Sequence, residues 1–357
     1  MRLRPFVENI LVLGQSHLAN AVTAEMRKRR RYRILDLMEP GEPGRVFKDG
    51  VPFLGSLDRG LRTIPRTHRI VVALSERRGR LPIEALLDAK RQGVVIEDAV
   101  HLYERLTGKL ALDQLQPSHL IFAPELGGRS LHTILLRLVS VLVAAVGIVV
   151  CAPLFAAIAL LIKWDSPGPV FFRHERIGKE GRKFSLVKFR TMDWMAPSRS
   201  EWVRDNGDRI TKVGRWLRKY RLDELPQLFN VLMGHMNLIG PRPHPASNYH
   251  LFMRNIPFYA FRATVRPGIT GWAQVRYGYA NDLQEEIEKM HYDMYYIKYH
   301  SIRLDIEIIL RTVAVMMLGR ESPRMERTKG DEVLAEPAAG AASVPKDHVR
   351  FDEQSAA

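Results

Sequence analysis

The chain has a single cysteine, Cys151, among 357 residues, and that scarcity excludes both a disulfide framework and a zinc site built on paired thiolates. It is also short of acids, with 39 Asp and Glu against 54 Lys and Arg, for a formal net charge of +15. A surplus of that size selects anionic partners: nucleic acid, an acidic membrane surface or phosphorylated substrates. No zinc-finger spacing, recognition helix or aromatic ribonucleoprotein motif accompanies the charge, which sets nucleic acid aside. The stretch MRLRPFVENILVLGQSH is basic, but its apolar part runs only from Ile10 to Leu13 and no small-residue cleavage site follows. No signal peptide is expected.

Charge is missing altogether from Leu138 to Ile162. A straight helix of about 25 residues reaches roughly 37 Å, against a bilayer core of roughly 30 Å. Pro153 lies past the middle and removes a backbone hydrogen bond, which shortens both arms. Arg129 and Arg137 precede the run, and Lys163, Arg173, Arg176 and Lys179 follow it, so both ends favour the cytoplasm. These facts predict a membrane helix over about 134–162 that breaks at Pro153 and leaves by the face it entered. The carbonyls freed near Val149 and Val150 then need protein, water or side chains as donors. A full span is the alternative.

What is present begins with strands alternating with helices. Asn9 to Gly14, Tyr32 to Leu37, Arg69 to Leu74 and Val94 to Ile96 read as strands. Gln15 to Arg29 and Ile83 to Arg91 read as helices, so the pattern implies a parallel α/β sheet, Rossmann-like, over residues 1–125. Gly14 and Asp36 suit a dinucleotide fingerprint, but Ser16 replaces the second glycine, which normally admits a pyrophosphate. The preferred reading is a tight turn in a regulatory or assembly domain. The alternative is a dinucleotide-sensing or scaffold protein anchored to a membrane.

A mostly α-helical (α+β) second domain is expected over 126–320. Within it, Ser301 to Leu318 mixes Arg303, Asp305, Glu307 and Arg311 with Ile, Leu, Val and Met, the pattern of an interfacial amphipathic helix or of a core helix. Residues 321–357 are too poor in large apolar side chains to fold and read as a disordered tail.

The densest chemical constellation is YRLDELPQLFNVLMGHMNLIGPRP, from Tyr220 to Pro243. Pro226 fits only the first turn of a helix, which would put Asp223 at or near its N-cap. An isolated Asp-Glu pair is most simply a cap and a solvated first-turn acid. The surroundings argue for more, because Lys188, Arg190, Arg221, Arg242, Arg266 and Arg276 are side chains suited to binding phosphate. A carboxylate attacks the phosphorus of a pyrophosphate only when repulsion between anions is suppressed, which a magnesium ion and arginines can do.

The blocks KWDSPGPVFFRHERIGKEGRKFSLVKFRTM, RLDELPQLFNVLMGHMNLIGPRP and RPGITGWAQVRYGY occur in that order. They resemble the bacterial sugar transferase family, the monotopic phosphoglycosyl transferases, over about residues 130 to 320. The resemblance implies transfer of a sugar-1-phosphate from a UDP-sugar to undecaprenyl phosphate, through a covalent aspartyl-phosphosugar, with uridine monophosphate leaving first and Mg2+ as cofactor. On the matching positions Asp223 is the nucleophile, and Glu224 binds Mg2+ or assists positioning. Arg242 of the PRP segment holds phosphate, and Lys188 and Arg190 of KFR face the active site.

The family's membrane helix typically breaks at Ser-Pro, whereas here the pair is Ala152 and Pro153. His244 reads as a surface or loop histidine without a catalytic part. The N-terminal half resembles the Rossmann-like extension of larger family members. The expected setting is the bacterial inner membrane, with anionic lipid as a partner and the catalytic domain on the cytoplasmic face, where such enzymes commonly initiate surface or exopolysaccharide assembly. The sugar and any homo-oligomer are left open.

Overall fold

The run Ile10 to Leu13 is completely buried, as an unbroken apolar run must be in the middle of a parallel sheet. It forms β1 (Glu8–Leu13), with β2 (Tyr32–Met38) on one side and β3 (Arg69–Val72) on the other. β4 (Val95–Asp98) adds to β3, all pairings are parallel, and the order is β2-β1-β3-β4. The helices α1 (His17–Arg27) and α2 (Ile83–Arg91) lie between strands in sequence, and Leu86 and Ala89 pack on Leu11, Leu13 and Ile70. The computed structural model describes residues 7–38, 67–74, 81–112, 131–195, 204–278, 280 and 282–318. The expected tail, 321–357, lies outside them.

Gly14, at φ 115°, turns the chain from β1 into α1, and a Cβ there would lie 2.7 Å from the Ala73 backbone. Ser16 then caps α1. Its hydroxyl accepts from the Ala19 amide at 3.1 Å and donates to the Ala73 carbonyl at 2.7 Å. The serine at the second glycine position thus spends its hydrogen bonds within the protein, which supports the tight-turn reading.

Two compact units divide the chain between Ala99 and Val100. Residues 100–112, assigned from sequence to the N-terminal domain, instead pack in the second unit. Leu110 and Leu112 join Phe252, Met290 and Met294 in one core, and the Trp272 indole donates to the Gly108 carbonyl at 2.8 Å. This segment includes α3 (Ala99–Thr107).

The second unit then runs through α4 (Leu131–Asp165) and the antiparallel hairpin of β5 (Phe171–Ile177) and β6 (Lys183–Phe189) to α5 (Lys212–Lys219) and α6 (Gln227–Leu232). There follow β7 (Asn237–Ile239), α7 (Ala246–Asn255), β8 (Gly268–Thr270), α8 (Trp272–Arg276), α9 (Leu283–Tyr299) and α10 (Ile302–Leu318). β7 and β8 pair in parallel.

α4 is helical on both sides of Pro153 with no non-helical residue between them, so the proline marks a place where the helix can bend rather than the gap between two helices that was expected. Among the described residues it is the one helix long and apolar enough to cross a membrane, with a mean hydropathy of 2.8 over its most apolar window. Both of its arms are tied to the same unit. On the first arm Arg137 donates to the Met236 carbonyl at 2.9 Å, and the Ser140 hydroxyl accepts from the Leu238 amide at 3.1 Å. Ala144 packs on Leu228, Val231 and Met236. On the second arm Ile158 and Ile162 pack on Phe189 and Leu217, each contributing about 1.5–3 kcal/mol by burial. Between the arms, Val149 and Val150 are exposed.

α10 resolves its two sequence readings by having two faces. Leu304 and Ile308 are buried against Trp272 and Tyr296, while Ile302, Ile306, Leu310, Val313 and Met317 are exposed.

After α4 the chain turns at Gly168, which sits at φ 120° and would place a Cβ 2.1 Å from an Arg190 guanidinium nitrogen. The Gly168→Ala variant is therefore expected to lose about 1–3 kcal/mol from backbone strain alone. Thermal unfolding of the detergent-solubilised protein measures it, and a variant that melts with the wild type would contradict this view of the turn.

Candidate active site

A left-handed residue opens the site. Arg221 adopts φ 55° and ψ 23°, an uncommon conformation for a side-chain-bearing residue, and leads into a 3-10 turn over Leu222–Glu224. Leu222 and Leu225 pack beside Ile158, Ile162, Phe189 and Leu217, which anchors the turn from below. The turn buries both carboxylates, leaving Asp223 8% and Glu224 5% exposed. Pro226, not Asp223, is the N-cap residue of α6, and it makes no side-chain cap bond. The capping role expected of Asp223 is therefore corrected: the acid sits one turn earlier, on the 3-10 segment.

Two cations converge on one oxygen of Glu224. Lys188, from β6, donates to Oε1 at 3.1 Å, and Arg242, from the loop after β7, donates to the same atom at 2.8 Å. Burial alone would raise the Glu224 pKa, but Arg242 and Lys188 outweigh it and hold the group well below the usual carboxylate range. Burial dominates at Asp223 and raises its pKa, with ionised Glu224 adding to the rise and Lys188 opposing it. Burial likewise lowers Lys188, against the pull of Glu224. The adjacent acids are thus unequal: Glu224 is the fixed anion, and a proton entering the pair goes to Asp223.

Asp223 lines a cavity of about 420 Å³ together with Lys188, Arg221 and Arg242. Arg176, Arg209 and Arg218 line it as well. The sequence did not single these three out as phosphate ligands, because they come from different segments and meet only in the fold. The one available signal is the three-residue spacing of Arg218 and Arg221. Arg218 also donates to the Thr191 hydroxyl at 2.8 Å.

The other predicted ligands differ in where their guanidiniums are engaged. Arg190 borders the cavity, but its guanidinium is turned to the end of α4, where it donates to the carbonyls of Ile162 at 3.2 Å, Ser166 at 2.7 Å and Pro167 at 2.6 Å. Arg266 donates to the Gly234 carbonyl at 3.1 Å. Arg276 donates to the Thr107 carbonyl at 3.2 Å and lies over the Trp272 ring. Neither Arg266 nor Arg276 lines the cavity.

His244 is buried rather than a surface residue. Its Nδ1 accepts from Arg262 at 2.6 Å, and its Nε2 lies 2.7 Å from Glu286. Arg262 also donates to Asp293 at 2.6 Å and to the Arg242 carbonyl at 2.9 Å, so a buried network holds the PRP segment in place. Among the described residues no group of three or more His, Cys, Asp or Glu side chains is arranged to hold a metal.

The description "Bacterial sugar transferase" belongs to the family that matches residues 131–319. The chain is a member of that family. It is 43% identical over 217 residues to the UDP-N-acetylgalactosamine-undecaprenyl-phosphate N-acetylgalactosaminephosphotransferase of Aeromonas hydrophila, covering 60% of this chain and 51% of the relative. It is 31% identical over 288 residues to the UDP-glucose:undecaprenyl-phosphate glucose-1-phosphate transferase of Escherichia coli K12, covering 79% and 61%. A protein of the same description from Caulobacter vibrioides is 41% identical over 184 residues, covering 51% and 69%. The chain thus spans about half the length of the Aeromonas relative.

Burial and the neighbouring Arg262 lower the pKa of His244 from 6.5 to about 3. The unfolded chain then binds a proton between those values that the sugar transferase fold does not, so stability falls as pH drops below the ordinary histidine value. The expected loss from His244 is about 2 kcal/mol at pH 5 relative to pH 7.5. A thermal unfolding midpoint that stays constant over this interval would show that the imidazole accepts its proton while folded.

Proposed function

We propose that this chain transfers a sugar-1-phosphate from a UDP-sugar to undecaprenyl phosphate at the cytoplasmic face of a bacterial inner membrane, initiating surface or exopolysaccharide assembly. The observation behind this reading is Asp223, a buried carboxylate that lines a cationic cavity and has a fixed anion, Glu224, beside it. The names of the relatives, whose donors are UDP-glucose and UDP-N-acetylgalactosamine, support it.

In the first step an Asp223 oxygen attacks the phosphorus that bears the sugar. The bond from that phosphorus to the bridging oxygen breaks, uridine monophosphate leaves with the electron pair, and an aspartyl-phosphosugar forms. In the second step a phosphate oxygen of undecaprenyl phosphate attacks the same phosphorus, and the Asp223 carboxylate is released unchanged. Arg242, Lys188, Arg218 and Arg221 offset the charge of the pyrophosphate and orient it for attack.

Glu224 would hold Mg2+, an oxygen-seeking ion often bound by one or two carboxylates together with substrate phosphates. Glu224 is held as an anion with Lys188 and Arg242 both bonded to its Oε1, so an ion bound there would share the carboxylate with these two cations. When bound, the ion supplies further charge neutralisation.

The attachment of both α4 arms to one unit supports a re-entrant, monotopic helix, with both ends on the same side of the bilayer and the exposed apolar face of α10 at the same lipid surface. Anionic lipid suits the net charge of +15. The parallel N-terminal sheet is read as a Rossmann-like regulatory or assembly domain.

The expected result is release of uridine monophosphate from at least one of a panel of UDP-sugars, including UDP-glucose and UDP-N-acetylgalactosamine, by solubilised protein with Mg2+ and undecaprenyl phosphate. Asp223→Asn should lower the rate by at least about a thousandfold while melting within a few degrees of wild type. Full activity in that variant, or no release from any donor, would refute the proposal.

A further inference from the structure

The cavity also reaches a second carboxylate that takes no part in the chemistry above. Glu286, on α9, lines the cavity and is only 5% exposed. It is held rigidly, since Lys289, one turn further along α9, donates to both of its oxygens at 3.1 Å, and His244 lies 2.7 Å from Oε1. A carboxylate has about four acceptor positions, so these contacts leave capacity for further donors from the cavity. Asn248, on α7 and only partly buried, lines the same space.

The charge of the lining decides what such a group can receive. A phosphate would be repelled by Glu286 and is drawn to the cations around Asp223. A divalent metal is disfavoured because Lys289 already donates to both oxygens of Glu286. Neutral hydroxyl donors remain, and a nucleotide sugar presents them on its hexose and on its ribose. A charged pair is costly to bury unless its geometry is well satisfied, so packing alone does not call for this arrangement.

We propose that Glu286, aided by Asn248, is the hydroxyl-reading subsite of the donor pocket and accepts hydrogen bonds from sugar hydroxyls of the UDP-sugar. The assignment rests on the phosphoglycosyl transferase reading given above. A pocket built to accept from a hydroxyl discriminates against a ligand that lacks it, because the buried acceptor is left unpaired.

The test uses full-length solubilised protein, the UDP-sugar that wild type turns over best, its monodeoxy analogues and uridine monophosphate as product inhibitor. Wild type should lose about tenfold or more in kcat/KM with at least one monodeoxy donor, either in the hexose or in the ribose. Glu286→Gln should raise KM for the parent donor more than it lowers kcat, and should shrink that discrimination to about threefold or less. Asn248→Ala, at the less buried position, should shrink it in the same direction. If the hydroxyls read are those of the hexose, inhibition by uridine monophosphate is unchanged in the variants. If they are those of the ribose, its inhibition constant rises along with KM.

Wild type that accepts every monodeoxy donor equally overturns the proposal even if Glu286→Gln fails to fold. So does a folded Glu286→Gln that keeps wild-type discrimination. Absence of turnover with any UDP-sugar instead removes the enzyme reading on which the subsite depends.

Discussion

One oxygen of Glu224 accepts from both Lys188 and Arg242, and the second unit is arranged around that convergence. The three residues come from a 3-10 turn, the hairpin strand β6 and the loop after β7. Removing one partner of a buried charged group costs about 3–5 kcal/mol, because the other charge is left uncompensated. The arrangement therefore fixes three segments at once, and it sets the electrostatic difference between two neighbouring acids. Glu224 is held as an anion by its cations, whereas Asp223 is governed by burial. A second buried network begins at the same loop, where Arg262 binds the Arg242 carbonyl, His244 and Asp293. The loop that supplies Arg242 is thus gripped through its side chain on one side and its backbone on the other.

The same unit accounts for the long apolar helix. Arg190 donates to the Ile162 carbonyl in the last turn of α4 and to Ser166 and Pro167 just beyond it, and Arg137 reaches from the first arm to the backbone before β7. These guanidiniums join an apolar segment to the polar part of the unit, and Arg190 supplies a donor to one of the carbonyls that the end of a helix leaves open. Gly168 is the small residue that lets the turn after α4 pass against Arg190.

Much of the architecture was legible in the sequence. The continuous apolar run of β1 and the β-branched run of β3 gave the parallel sheet, and the charge-free stretch from Leu138 to Ile162 gave most of α4. The Asp-Glu dyad and its cations were legible through their motifs, and the structure brings Asp223, Lys188, Arg221 and Arg242 to one cavity. The misreadings share a cause. Arg266 and Arg276, which do not line the cavity, look like phosphate ligands because a guanidinium that donates to a carbonyl has the same letter as one that donates to phosphate. His244 looked like a loop residue because nothing local reveals that Arg262 and Glu286, distant in sequence, close over it. Likewise residues 100–112 follow a strand of the first unit yet bury Leu110 and Leu112 in the second, a long-range choice that local periodicity does not record.

Asp223 is proposed to form the bond to phosphorus. Intact-protein mass measured after incubation with UDP-sugar and Mg2+, without lipid acceptor, tests it most directly. The expected result is a mass gain equal to one phosphosugar, located on Asp223 and discharged when undecaprenyl phosphate is added. Formation of the lipid product by a protein that never gains that mass, and that releases no uridine monophosphate until lipid is present, would contradict it and indicate direct attack by the lipid phosphate.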